Sequence, residues 1–299
     1  MKIGFIFAGQ GQQFLYMGKD LAETYPSAKA LYLEAQEILG YDVLNLDEEK
    51  LHQTEYTQPA LFTLGVVLDT VLKEKGITPD MVAGLSLGEY NALVSAEILD
   101  FKQALQVIQK RARLMSQAFE PFETAMAACV RTDRQSIEDA LKGTNIEVCN
   151  VNTPSQIVIG GKKDELDAVV QDLKAQKIRA LMLKVSTVSH MSLLKDETKK
   201  LKEIIAPLNF LKPKVPFINN VEAKIQDDNF ADTLSRQISE PTLMADSIQK
   251  MLDEGVDTII EVGPKNTIVK FVREINKEID TFNVYDQETL KECLSWIEK

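Results

Sequence analysis

Two periodicities alternate along this chain. Short apolar runs of strand composition are followed by longer segments in which apolar residues return every three to four positions, the spacing of one helix face. Residues 2–8 predict a first strand, and residues 21–39 predict one helix. A second helix is predicted over 59–75 and stops at Gly76, because glycine readily takes the left-handed conformation that closes a helix. A strand at 81–85 then runs through a glycine turn into a helix at 87–98. Strands separated by helices predict parallel pairing and an α/β fold.

Between residues 124 and 188 the rhythm changes. A strand at 125–131, a helix at 135–141, two strands at 146–151 and 156–159 around the turn Asn152-Thr153-Pro154-Ser155, a helix at 163–176 and a strand at 178–185 follow one another. This is the β-α-β-β-α-β order of ferredoxin-like folds. A small ferredoxin-like subdomain, 124–188, is therefore expected inside a larger α/β domain made of 1–123 and 189–299. The second part of the larger domain carries predicted helices at 192–205, 244–254 and 267–275 and strands at 215–218 and 258–262.

Composition narrows the function classes. The 299 residues hold 34 Lys+Arg against 45 Asp+Glu, a net charge of −11, which disfavours nucleic acid and anionic membranes as partners. Hydrophobic residues make up 44%, while Gly (14) and Pro (10) fall below their usual joint share of roughly 12%, which excludes disordered and collagen-like chains. No apolar run approaches the roughly 20 residues of a membrane span, and no secretory leader pattern is visible, so a cytoplasmic protein is expected. Cys129, Cys149 and Cys293 lack the paired spacing that holds zinc or a redox disulfide and are expected as reduced, packed thiols. Any imidazole base must be His52 or His190, the only two histidines.

The sharpest local motif is Gly84-Leu85-Ser86-Leu87-Gly88, a Gly-x-Ser-x-Gly elbow between a predicted strand and a predicted helix. Glycines on either side let the backbone turn sharply and project the Ser86 hydroxyl. The helix start brings free N–H groups and a positive dipole end to the place where an oxyanion would develop. A serine needs a base. His52 lies in the acidic stretch Asp47-Glu48-Glu49-Lys50-Leu51-His52 and reads as a solvated surface residue. His190 follows a strand and the loop Val185-Ser186-Thr187-Val188-Ser189, where α/β sheets carry reacting groups, and is the expected base. The turn Gly9-Gln10-Gly11 after the first strand lacks the third glycine of a dinucleotide fingerprint and reads better as a turn that aims backbone N–H groups at Ser86.

Together these residues resemble the malonyl-CoA:acyl carrier protein acyltransferases. The resemblance spans nearly the whole chain: Gly9-Gln10-Gly11, Thr57-Gln58-Pro59-Ala60, Gly84-Leu85-Ser86-Leu87-Gly88-Glu89-Tyr90, Arg111, Asn152-Thr153-Pro154-Ser155-Gln156, Ser189-His190, Asn219-Asn220-Val221 and Glu261-Val262-Gly263-Pro264. It implies a large α/β hydrolase-like domain with a ferredoxin-like insert, a monomer, and no cofactor or metal, with malonyl-CoA and a phosphopantetheinylated acyl carrier protein as substrates. It further implies that Ser86 is acylated, that His190 is its base, and that a backbone carbonyl near Leu243 holds the His190 ring. The N–H groups of Gln10 and Leu87 would form the oxyanion hole. Arg111 would bind the malonyl carboxylate as a bidentate fork, a geometry lysine does not reproduce.

The chain departs from the fatty-acid enzymes of this family at Leu85, where histidine is usual, at Ala112 and Lys265, where glycine is usual, and over Glu240-Pro241-Thr242-Leu243-Met244. These departures lean toward a discrete enzyme serving a polyketide synthase in trans, against a housekeeping enzyme of fatty acid synthesis. An acyl hydrolase of the same fold would use Ser86 and His190 but has no need of Arg111, and a silent carrier-docking module would need none of the three. Because carrier proteins are typically acidic, a chain at −11 is expected to gather basic residues locally, with Lys162, Lys163, Lys184, Lys195 and Lys265 as candidates.

Overall fold

A computed structural model describes residues 1–185 and 187–297. Its larger sheet is built from β1 (Ile3–Phe7), β2 (Met81–Gly84), β7 (Phe217–Ile218), β8 (Ile225–Gln226), β10 (Thr258–Val262) and β11 (Asp280–Val284), in the order β11-β10-β1-β2-β7-β8. Every neighbouring pair is parallel except β7 with β8. Helices cover both faces, so β1, β2 and β10 are buried along their whole length and read as continuous apolar runs.

The smaller sheet contains β3 (Thr124–Val130), β4 (Glu147–Thr153), β5 (Gln156–Lys162), β6 (Arg179–Met182) and β9 (Thr242–Leu243), in the order β6-β3-β5-β4-β9. Its first four strands are antiparallel in the ferredoxin arrangement, with helices Arg134–Ala140 and Lys163–Ala175 as crossovers. The fifth strand, β9, comes from the larger part of the chain and pairs parallel with β4 through Asn150–Thr242 and Val151–Leu243. Asn150 Nδ2 donates to Thr242 Oγ1 at 2.6 Å, and Thr153 and Ser155 both donate to Glu274 at 2.6 Å. The hydrophobic core of the small unit continues into Ala245.

Two helices differ from their predicted spans. The expected helix at 21–39 is two, Lys19–Thr24 and Pro26–Leu39, because Tyr25 before the proline is extended (φ −111°, ψ 120°) and Pro26 begins the second helix without an N–H to give. The helix expected from residue 59 starts at Thr54 and runs to Glu74, with Pro59 inside it. This helix is buried nearly all round, in keeping with its mostly apolar sequence. The last expected strand of the small unit, 178–185, is shorter: β6 ends at Met182, Leu183 to Val185 continue as irregular chain, and Ser186 lies outside the described residues. Among the described residues no helix is long and apolar enough to cross a membrane.

Candidate active site

Strands β1 and β2 are adjacent and parallel, so their carboxyl ends bring Ala8-Gly9-Gln10 and Leu85-Ser86-Leu87 side by side. The fit is close because glycines stand at the contact. A Cβ on Gly88 would lie 2.2 Å from Phe7 O, one on Gly84 would lie 2.0 Å from Gly88 C, and one on Gly9 would lie 2.8 Å from Leu85 O. Ser86 sits in the left-handed region at φ 53°, the strained turn that lifts its hydroxyl out of the sheet. Its own N–H is spent on Asn220 Oδ1 at 2.7 Å, while Asn220 Nδ2 donates to Gly84 O at 2.6 Å, so one asparagine brackets the elbow. The N–H groups of Gln10 and Leu87 meet no acceptor among the described residues.

His190, 2% exposed and also left-handed at φ 62°, is anchored by its own N–H to Ile238 O at 2.8 Å. Its Nδ1 lies 2.6 Å from Gln237 O and its Nε2 lies 2.8 Å from Ser86 Oγ. A carbonyl only accepts, so Nδ1 carries the proton and Nε2 faces the serine hydroxyl as a free base. Burial, with Arg111 adding to it, pushes the His190 pKa down to about 4 against the pull of the Gln237 carbonyl, so the imidazole is neutral at pH 7.

Arg111, on helix Phe101–Ser116, is 1% exposed. Its Nη1 donates to Gln58 Oε1 at 2.7 Å, and its Nη2 donates to Gln237 Oε1 at 3.0 Å and more weakly to Ser86 Oγ at 3.3 Å. The guanidinium carbon stands 5.6 Å from the Tyr90 ring centre, a cation–π contact. Burial lowers the Arg111 pKa, yet a guanidinium stays charged. Gln58 in turn donates to Gln10 Oε1 at 3.2 Å. Ser86 and His190 open on a cleft of about 180 Å³ between the two sheets, with Gln10, Leu85, Asn150, Leu183 and Val188 among its walls. A hydroxyl with a neutral base, two free N–H groups beside it and a fixed cation 3.3 Å away can form and break an ester of a carboxylate-bearing acyl group.

Comparison with known proteins agrees with this chemistry. The family model described as an acyl transferase domain matches residues 4–290. The chain belongs to the acyl transferase family. It is 38% identical over 303 residues to the malonyl CoA-acyl carrier protein transacylase of Bacillus subtilis (strain 168), covering 97% of this chain and 95% of that one. Among solved structures it superposes on the malonyl CoA-acyl carrier protein transacylase of Clostridium perfringens with a TM-score of 0.96 at 32% identity, covering 100% and 98% of the two chains. It also superposes (TM-score 0.94, 34% identity, 99% of both chains) on a malonyl-transacylase solved in complex with its type II PKS acyl-carrier protein.

In the acyltransferase, Ser86, His190 and Arg111 converge as expected, and Gln10 and Leu87 lie beside Ser86. The expectation for Leu243 is corrected. The carbonyl that holds the His190 ring belongs to Gln237, at the end of helix Phe230–Arg236, whereas Leu243 lies in β9, where its N–H donates to Asn220 O at 2.8 Å. His52 is exposed at the end of a one-turn helix, remote from the elbow in sequence and absent from the cleft walls. None of the five candidate lysines lines the cleft: Lys184 sits between Leu183 and Val185, which do, and Lys163 is paired with Asp167 on its own helix. Sequence reading missed Gln58, Glu89, Asn220 and Gln237 as working parts. The signal available for Gln58 was a lone amide in the apolar run that follows it, and for Glu89 a carboxylate directly after the elbow.

Proposed function

We propose that the acyltransferase moves a malonyl group from coenzyme A to the phosphopantetheine thiol of an acyl carrier protein through an ester on Ser86. The observation that carries this reading is Arg111: a buried cation within 3.3 Å of the Ser86 hydroxyl, with its fork held by two glutamine carbonyls, suits an acyl group that ends in a carboxylate. Water as the acceptor of a simple acyl group would not require it, and the relatives named for malonyl transfer support the same substrate.

Ser86 Oγ attacks the thioester carbonyl as its proton passes to His190 Nε2, and the N–H groups of Gln10 and Leu87 receive the oxyanion. Collapse expels the coenzyme A sulfur, which takes that proton from His190. The carrier thiol then gives its proton to His190 and attacks the Ser86 ester, and the second collapse returns the proton to Ser86 Oγ. Side chains and backbone carry each step.

The finer reading is a discrete enzyme acting in trans on a polyketide carrier. The departures at Leu85, which lines the cleft, and at Ala112, buried in the helix of Arg111, support it, as does the solved complex with a type II PKS carrier. A fatty-acid carrier is the second reading, supported by the nearly full-length match to a bacterial transacylase.

Intact mass spectrometry after brief exposure to malonyl-CoA tests the function. A malonyl adduct that is absent in Ser86→Ala and is discharged by holo carrier supports transfer. Discharge to water at the same rate without carrier supports a hydrolase, and no adduct supports a docking module. Turnover with holo carriers of each pathway, compared at equal concentration and at low and high salt, separates the two readings, and a carrier KM indifferent to salt argues against electrostatic capture.

A further inference from the structure

Glu89 is the second residue of helix Gly88–Ser95, is 1% exposed and does not line the cleft. Its two oxygens each accept from a different donor. Oε1 takes the Asn220 N–H at 3.0 Å, and Oε2 takes a short hydrogen bond from Gln237 Nε2. Both partners are donors, so the pattern is that of an ionised carboxylate, the acceptor-only form. Gln237 Nε2 also donates to Ser86 O at 2.8 Å. With both amide protons directed at Glu89 and Ser86, Gln237 has one orientation available, in which Oε1 faces Arg111 Nη2 at 3.0 Å. The main-chain carbonyl of the same glutamine holds the His190 ring at 2.6 Å.

We infer that Glu89 is a positioning residue for recognition of the acyl carboxylate: by fixing the amide of Gln237 it aims the Arg111 fork, and through Asn220 it braces the Ser86 elbow. This rests on the proposed malonyl transfer. Burial lifts the Glu89 carboxyl to about 7 against the pull of the Asn220 N–H, the Gln237 amide and Arg111, so the ionised form that accepts from both donors predominates above neutral pH, and the rates that test its role are compared at pH 8. A neutral amide in place of Glu89 changes the pattern. Its oxygen can accept from only one side, so its NH2 confronts the other donor, and the relief available is a flip of Gln237 that turns NH2 toward the guanidinium.

Rates of Ser86 acylation by malonyl-CoA and by acetyl-CoA, measured by rapid quench and intact mass on the full chain, test this. Glu89→Gln is expected to cut malonyl acylation about tenfold more than acetyl acylation, the size of one lost charge-assisted hydrogen bond. Equal loss for both substrates in Glu89→Gln overturns the inference. If Glu89→Gln melts below the assay temperature, Glu89→Asp keeps the charge but withdraws it by one methylene; it should lose part of the selectivity, and full selectivity there also overturns the inference. A wild type that takes acetyl but not malonyl overturns the proposed function instead.

Discussion

Replacing Arg111 by Ala or Lys separates substrate recognition from ester chemistry. The guanidinium is buried, 1% exposed, and two of its bonds run to the structural acceptors Gln58 and Gln237 at 2.7 and 3.0 Å, while the third, to Ser86 Oγ, is long at 3.3 Å. On the proposed role of Arg111, that weak third bond is the one an incoming carboxylate would displace. A bidentate carboxylate contact comprises two charge-assisted hydrogen bonds of about 1.5–3 kcal/mol each, so alanine should lower kcat/KM for malonyl acylation by roughly 10²- to 10⁴-fold. Lysine keeps a charge without the fork and should recover only part of this. Acetyl has a methyl where malonyl has its carboxylate, and removal of a desolvated cation should leave acetyl acylation within about threefold or raise it. Stability is a poor readout, because two orphaned glutamine carbonyls, at about 1–3 kcal/mol each, oppose the relief of unburying a charge. Single-turnover acylation with each thioester, followed by intact mass, is the assay. Equal loss for malonyl and acetyl, or lysine as good as arginine, would refute the carboxylate-binding role.

Further outcomes follow from burial and sterics. With the His190 pKa near 4, the acid limb of kcat/KM for Ser86 acylation by acetyl-CoA, which does not call on the carboxylate contact that Glu89 positions, should fall near that pH, and a midpoint at the ordinary 6.5 would contradict the buried neutral base. On stability the same group has a definite sign: unfolded His190 binds its proton near 6.5 and folded His190 near 4, so stability is lost as pH falls through that window, by about 3 kcal/mol, and the denaturant-derived slope there should shrink in His190→Gln. Glu261, on β10, has the opposite sign. Burial lifts its pKa to about 7 although its Oε2 accepts the Val269 N–H at 2.8 Å, so Glu261→Gln should be more stable than wild type at pH 8 by about 1–3 kcal/mol and equal to it below pH 4.5, and a pH-independent difference in Tm would refute this. Gly88→Ala, with its Cβ 2.2 Å from Phe7 O, should lose Ser86 acylation and several degrees of Tm, whereas Gly76→Ala, at φ 83° with nothing within 4 Å, should cost only the backbone strain of about 1 kcal/mol.

Much of the fold was legible because its signals are local. Buried parallel strands appear as unbroken apolar runs at 3–7 and 258–262, and the small sheet shows its hairpin at Asn152-Thr153-Pro154-Ser155. The break at Tyr25 was written in Pro26 and was overridden by the apolar period that continues across it. Strands β8 and β9, two residues each, carry no period at all, and β9 exists only because Thr242 and Leu243, from the larger part of the chain, pair with Asn150 and Val151 at the edge of the smaller sheet. Within the site, Ser86 and His190 carry side chains whose chemistry announces them. The carbonyl behind His190 does not, because every residue has one, and the path of the chain after helix Phe230–Arg236 decides that Gln237 supplies it.

That path also explains why the site is rigid without an acid behind the histidine. Ser86 and His190 both occupy left-handed backbone, at φ 53° and 62°, a strain of about 1–3 kcal/mol each that persists only where the surroundings leave no alternative. The surroundings are the segments 219–220 and 237–238. Asn220 fastens the elbow on both sides of Leu85, Ile238 O takes the His190 N–H, and Gln237 gives its carbonyl to the imidazole, its Nε2 to Ser86 O and its Oε1 to Arg111. An aspartate behind His190 would raise the ring's pKa and add a buried anion next to the cation reserved for substrate. A carbonyl holds the same tautomer and leaves Arg111 available for the carboxylate contact proposed for it.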